Sequence, residues 1–186
     1  MAMACLREGW RNPVGSVCLA TRPGLGALVP SDLHDAAPGI VVDDGSKDAT
    51  AENAGKAGAR VLQHPYNIGN GAAIKTGIRH ARGSILVTID ADGQHNPEDI
   101  PLLVNRIGAY DMVVGSRNNA SDTAAHRDLA NLVFNSLASY VSGRKIEDLT
   151  SGFRAVKARV ARQFLYLFPN KFSYPSTITL SVVRAG

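Results

Sequence analysis

The sequence predicts one α/β domain, a mostly parallel β-sheet flanked by helices, and three observations predict it. From residue 40 onward, short apolar runs alternate with stretches of helical pattern, as parallel strands joined by crossover helices require. The run Ile85 to Ile89 is almost continuously apolar, as befits a strand buried on both faces, and it runs into Asp90 and Asp92. A length of 186 residues with 45% hydrophobic content suffices for one full core and is too short for two domains of ordinary size.

Taken in order, strands are expected at Ile40 to Asp43, Arg60 to Gln63, Ser84 to Asp90 and Asp111 to Gly115. Helices are expected at Thr50 to Gly58, Gly71 to Arg82 and Pro97 to Ile107, the last with Asn96 as N-cap and Pro97 at its first position. Leu129, Leu132, Val133, Leu137, Tyr140 and Val141 recur at three- and four-residue steps and predict an amphipathic helix whose apolar face belongs to the core rather than to a membrane. A further helix is expected from Ser176.

The stretch Val14 to Ala20 is apolar but is broken by Arg22 and Pro23 before it could act as a signal peptide or span a bilayer. The Pro- and Gly-rich segment that follows is hostile to helix, so residues 1–39 are expected to form a divergent or disordered N-terminal segment and 40–186 the folded domain. The net charge of +4 and pI near 9.3 suit phosphate-bearing ligands or an anionic membrane surface. Without a dense basic run or an RNA-reading aromatic motif, they argue against nucleic acid. Two cysteines, Cys5 and Cys18, make a disulfide framework unattractive and a reducing cytosol the expected compartment.

The expected strand ends carry the chemistry. A strand that ends in Asp90 and Asp92 delivers both carboxylates to its C-terminal edge, where open α/β sheets bind ligands. Carboxylates so close repel each other unless a cation relieves them, and Gln94 adds a neutral oxygen. The competing reading is a polar strand end with Asp capping a turn. A calcium loop is excluded: counted from Asp90, Gly93 is fourth instead of sixth and Pro101 stands where the twelfth-position Glu belongs. With no Cys or His cluster nearby, Mg2+ or Mn2+ is more natural than zinc.

At the end of the first strand, Asp43, Asp44, Gly45 and Ser46 offer acceptors for a nucleobase or ribose, or caps for the next helix. Gly69 and Gly71 open a helix whose free amides and dipole favour an anion, with Lys75 one turn on. The same glycines also fit close helix packing with Lys75 in solvent. The spacing is neither a P-loop nor a dinucleotide fingerprint.

In order, the strings VVDDGSKDAT, NIGNGAAIKTGIRHARG, VTIDADGQH, VVGSR and DLTSGFRAVK resemble the family 2 glycosyltransferases of GT-A fold, a Rossmann-like nucleotide-diphospho-sugar transferase architecture. Within them the chain looks most like the branch that transfers mannose or glucose to polyprenyl (dolichol) phosphate. The resemblance spans about residues 40–186. It implies a nucleotide-sugar donor of the GDP-mannose or UDP-glucose type, Mg2+ or Mn2+, a polyprenyl-phosphate acceptor and inversion at the anomeric carbon. Carried over by position, it implies nucleoside binding by Asp43 and Asp44 and metal binding by Asp90 and Asp92, with Gln94 as a further ligand. It also places Arg117 beside the donor diphosphate, making Asp92 and Arg117 the catalytic pair, with Gly71, Lys75 and Asp90 completing the donor site.

A phosphate acceptor is already anionic and needs cationic positioning more than deprotonation, which makes Arg127, Arg144, Lys145 and Arg154 its candidates. Asp148 is either a general base for a hydroxyl acceptor or a turn residue. The location implied is cytoplasmic, with peripheral contact at a membrane's cytoplasmic face. Both ends depart from the family: no Pro-Tyr-Asn-Glu type segment follows the nearest N-terminal strand, and relatives continue beyond the position of Gly186, as expected if the chain is truncated. The alternatives are a truncated, inactive nucleotide-binding relative and a sugar-nucleotide pyrophosphorylase. The latter class requires a glycine-rich basic loop after its first strand, which residues 14–39 do not supply.

Overall fold

In a computed structural model, which describes residues 39–89, 96, 99–116, 134–140, 142–171 and 173–186, the alternation expected from residue 40 is present. Strand β1 (Ile40–Asp43) leads through helix α1 (Thr50–Lys56) to β2 (Arg60–Gln63), and α2 (Asn70–His80) leads on to β3 (Ile85–Thr88). After α3 (Ile100–Arg106) and β4 (Met112–Val114) come helical residues 134–140 (α4). The chain then forms β5 (Arg154–Lys157), α5 (Ala158–Phe164), a 3-10 turn (Leu165–Leu167) and α6 (Tyr174–Ala185). The N-terminal segment expected at residues 1–39 lies, but for Gly39, outside the described residues.

β1 and β2 pair in parallel, Ile40 opposite Arg60 and Asp43 opposite Gln63. β1 is buried along its length, whereas Arg60 and Gln63 at the two ends of β2 are exposed, as on a sheet edge. The second sheet holds the finding that the apolar runs did not predict. β5 lies between β3 and β4 and runs antiparallel to both, with Arg154 opposite Thr88 on one side and Val114 on the other. β3 and β4 are therefore parallel to each other, and the α/β class stands with one reversed strand inserted.

One core joins both sheets. It combines Val42 of β1, Leu86 and Val87 of β3, Ala155 and Val156 of β5, Ile74 and Ile78 of α2, Leu103 and Val104 of α3, and Tyr174 and Ile178 of α6. Val42, Leu86 and Val87 are completely inaccessible, and burying a side chain of that kind contributes about 1.5–3 kcal/mol.

Helix boundaries differ from expectation at several places, α1 ending at Lys56 instead of Gly58. α2 ends at His80, where Ala81 turns extended at ψ 139°. α3 runs from Ile100 behind Asp99, whose amide donates to the Asn96 carbonyl at 3.0 Å, while Pro97, expected at its first position, lies outside the described residues. α6 starts at Tyr174, two residues early, behind Ser173 in the left-handed region at φ 77°.

The expected core face of α4 is also corrected. Leu137 and Tyr140 are 57% and 86% exposed, and Phe134, on the same stripe, is 57% exposed. The helix turns Ala138 inward instead. Asn135 Oδ1 accepts the Leu149 amide at 2.9 Å and Ser139 Oγ accepts the Ile146 amide at 2.9 Å, so its small and polar face holds the 146–149 segment. Leu129, Leu132, Val133 and Val141 lie outside the described residues.

Candidate functional site

β1 ends in two aspartates that are 2% and 6% exposed, and their partners differ. Asp43 accepts the Ser46 amide at 2.9 Å and, more loosely, the Gln63 side-chain amide at 3.3 Å. Asp44 is bound more fully. Its Oδ1 accepts the Ile68 amide at 2.9 Å and lies 2.7 Å from His64 Nδ1, and its Oδ2 accepts the Gly69 amide at 2.8 Å. His64 in turn places Nε2 2.9 Å from Thr76 Oγ1 on α2. Gly45, at φ 78°, sits so close to the next loop that a Cβ there would lie 2.5 Å from the carbonyl carbon of Tyr66. Only glycine combines that backbone conformation with that approach.

Gly71 and Lys75, expected at the donor, engage backbone and side-chain oxygens of the 168–171 segment in this structure. The Gly71 amide donates to the Lys171 carbonyl and the Ala72 amide to the Asn170 carbonyl, each at 2.8 Å. A Cβ on Gly71 would stand 2.0 Å from the Pro169 carbonyl oxygen. Lys75 Nζ donates to the Phe168 carbonyl at 3.1 Å and to Asn170 Oδ1. The start of α2 thus receives backbone carbonyls of the 169–171 loop in place of a phosphate, because helix amides accept either kind of oxygen. Of the two readings open in the sequence, close packing holds, against a loop instead of a helix.

The C-terminal ends of β3 and β4 are tied together by the turn that precedes β5. Thr88 Oγ1 donates to the Gly152 carbonyl at 2.6 Å, and Ser151 Oγ donates to the Gly115 carbonyl at 2.6 Å. The Gly115 amide donates to the Phe153 carbonyl at 2.8 Å, and Gly115 lacks a side chain where a Cβ would be 2.4 Å from the Phe153 ring. Asp148 shapes the start of the turn by accepting the amides of Thr150 and Ser151 at 3.1 and 2.9 Å. Of the two roles open to Asp148, the turn is the one its contacts support.

Arg154 is corrected from acceptor ligand to buried support. It is 1% exposed, and its guanidinium donates to the Ser151 carbonyl, to the Pro175 carbonyl at 2.9 Å and to Thr179 Oγ1 at 3.0 Å, while lying 5.8 Å from the centre of the Tyr174 ring. Arg144 and Lys145 are exposed. Arg144 donates to the Gly186 carbonyl at 2.9 Å, and Lys145 pairs with Glu147 at 2.9 Å. The hydrogen bond that Lys145 donates to Glu147 raises the pKa of its ammonium above the ordinary lysine value.

Asp90, Asp92, Gln94, Arg117 and Arg127 lie outside the described residues. The described chain reaches their segments at Ile89 and Ser116, on either side of the 151–153 turn. Among the described residues no group of three His, Cys, Asp or Glu side chains could hold a metal ion. Sequence reasoning missed His64, Thr76, Thr88 and Ser151. For His64 a signal existed: if the two first apolar runs are paired end to end, it falls opposite Asp44.

Comparison with known proteins gives the architecture its relatives. The model of glycosyl transferase family 2 matches residues 37–166. An uncharacterized protein of Methanocaldococcus jannaschii is 36% identical over 135 residues, 68% of this chain and 56% of that protein. A dodecaprenyl-phosphate galacturonate synthase of Rhizobium johnstonii is 35% identical over 67% of this chain and 39% of its own length. A dolichyl-phosphate beta-glucosyltransferase of Trichomonas vaginalis is 32% identical over 71% of this chain and 43% of its own. The chain thus spans about half or less of the length of these relatives.

Among solved structures, glucosyl-3-phosphoglycerate synthase of Mycobacterium tuberculosis, in complex with Mn2+, UDP-glucose and phosphoglyceric acid, superimposes with a TM-score of 0.60 at 21% identity. That match covers 83% of this chain and 63% of that one, and it is a likeness of fold. With a family match over most of its length and relatives above 30% identity, this chain belongs to glycosyl transferase family 2.

Proposed function

We propose that the chain is the catalytic core of an inverting, metal-dependent glycosyltransferase that moves a hexose from a nucleoside-diphosphate sugar, of the GDP-mannose or UDP-glucose type, to polyprenyl phosphate. The observation that carries this reading is the 151–153 turn, pinned between Thr88 of β3 and Gly115 after β4. It lies between the two strand ends from which the chain continues toward Asp90 and toward Arg117, at the edge where such sheets bind ligands. Relatives named for dodecaprenyl and dolichyl phosphate support the acceptor class.

In the reaction, an acceptor phosphate oxygen forms a bond to the anomeric carbon as the bond from that carbon to the donor diphosphate breaks, and the nucleoside diphosphate leaves with the electron pair. Because the acceptor is already an anion, no side chain has to remove a proton, which agrees with the engagement of Asp148 in a turn. Asp90, Asp92 and Gln94 would hold a divalent cation, Mg2+ or Mn2+, which would supply positive charge to offset that of the leaving diphosphate. Arg117 donates paired hydrogen bonds to the same phosphates. Asp43 accepts from the nucleoside. With Arg154 withdrawn into the core, Arg127, Arg144 and Lys145 remain to hold the acceptor phosphate. Peripheral contact with the cytoplasmic face of a membrane is supported by the exposed Phe134, Leu137 and Tyr140, followed in the chain by Arg144 and Lys145. Among the described residues no helix is long and apolar enough to cross a bilayer.

The test is calorimetric titration with GDP-mannose, UDP-glucose and other nucleotide sugars, with and without Mn2+, against Asp92→Ala. Metal-dependent binding is expected, with turnover onto polyprenyl phosphate lowered at least about a hundredfold in the variant. Absence of binding by folded protein would instead identify an inactive relative.

A further inference from the structure

Among the described residues, a partly buried network at this sheet edge that the proposed chemistry does not use runs Asp44, His64, Thr76. We propose that His64 is a positioning residue for donor binding, setting the 66–69 loop beside Gly45 and Ser46, an inference that rests on the donor reading of this edge given above.

The two aspartates divide their work. Asp44 accepts three bonds, two from the Ile68 and Gly69 amides and one from the imidazole, and little of its capacity remains. Asp43 accepts two, one of them at 3.3 Å, and keeps lone pairs for a base or ribose. Asp44 is therefore the anchor of the loop, and Asp43 the group able to read a ligand. His64 extends the anchor to α2. In its neutral form Nδ1 donates to Asp44 and Nε2 accepts the Thr76 hydroxyl, and when protonated it donates to both, so the link survives either state.

The consequence reaches the ligand edge through backbone contact. Gly45 packs against the backbone of Tyr66 and Asn67, and Ser46 is bonded to Asp43. A displaced 66–69 loop would release that wall, while the β1–β2 pairing, closed by the His64 amide on the Asp43 carbonyl at 2.8 Å, would remain. The loop also presents Tyr66, 67% exposed, at the same edge.

The experiment compares wild type with His64→Ala, His64→Asn and Thr76→Val. An asparagine amide nitrogen can take the place of Nδ1, so His64→Asn keeps the bond to Asp44 and loses the one to Thr76. Amide hydrogen exchange at residues 66–69 is followed without ligand, and binding of UDP-glucose and GDP-mannose with Mn2+ by calorimetry. The expected result is faster exchange at Ile68 and Gly69 and about tenfold weaker donor binding in His64→Ala, both largely restored in His64→Asn. If His64→Ala does not fold, Thr76→Val carries the test, with a smaller shift in the same two readouts expected. A lowered melting temperature with donor affinity unchanged in the folded variants would reduce His64 to a structural residue and overturn the proposal. Wild-type protein that binds no nucleotide sugar would overturn the donor reading itself, and this proposal with it.

Discussion

Replacing Arg154 with Ala separates a residue that builds the domain from one that holds a phosphate. The side chain is 1% exposed and serves the Ser151 carbonyl, the Pro175 carbonyl and Thr179 Oγ1 at once. Two of these acceptors are partly protected, since Thr179 Oγ1 itself donates to the Pro175 carbonyl at 2.7 Å. The Ser151 carbonyl loses two donors. A buried acceptor left without its donor costs about 1–3 kcal/mol, and truncating a large buried side chain to Ala costs about 2–5 kcal/mol through lost packing and the cavity left, so a loss on the order of 4 kcal/mol is expected. That is a large part of a typical total of about 5–15 kcal/mol, and it corresponds to a melting point lower by on the order of 10 °C. Arg154→Lys, which keeps charge but not the planar fork, should fall between. Urea unfolding followed by circular dichroism measures both. Stability within about 1 kcal/mol of wild type, combined with a raised KM for polyprenyl phosphate and unchanged donor binding, would refute the reasoning and return Arg154 to the acceptor site.

Gly71→Ala sets a methyl 2.0 Å from the Pro169 carbonyl oxygen, so the 169–171 loop must leave the start of α2. The expected loss is about 1–3 kcal/mol in urea, with faster exchange of the Gly71 and Ala72 amides, and an unchanged exchange pattern would show the loop docked by other means. Leu137→Ser with Tyr140→Ser alters residues that are 57% and 86% exposed and should leave stability nearly unchanged while weakening sedimentation with anionic vesicles several-fold. Undiminished sedimentation would remove this stripe from the membrane contact.

What the sequence makes legible follows from how far apart in the chain the interacting groups lie. β1 to β4 are visible as short apolar runs bounded by turns. β5 is not, because Arg154 and Lys157 close both ends of a four-residue strand, and a charged residue carried into a core reads as surface. The acids at the end of β1 are legible as a candidate site. Their division is not, since the amides that occupy Asp44 lie 24 and 25 residues away. The start of α2 reads as an anion site because helix amides are free by default. The carbonyls that fill it come from about a hundred residues downstream. On α4 the period puts Leu137 and Tyr140 on one stripe, but a period cannot say on which side the neighbouring elements stand.

The string DLTSGFR shows why a motif and a ligand site are different things. Asp148 folds the turn, Ser151 holds the carbonyl of Gly115, Gly152 receives Thr88, Phe153 occupies the space Gly115 leaves, and Arg154 fastens the whole to α6. All but the Asp148 contact join strands or helices to one another. Residues that fix where two strand ends stand also fix the ligand groups on the segments beyond them, so substitutions in this string should impair donor and acceptor steps together and reduce stability as they do so. Substitutions at Asp92 or Arg117 should instead remove one interaction and leave the fold intact. The two patterns are separable by measuring unfolding beside binding, and that comparison sorts the motif's residues into those that build the edge and those that act there.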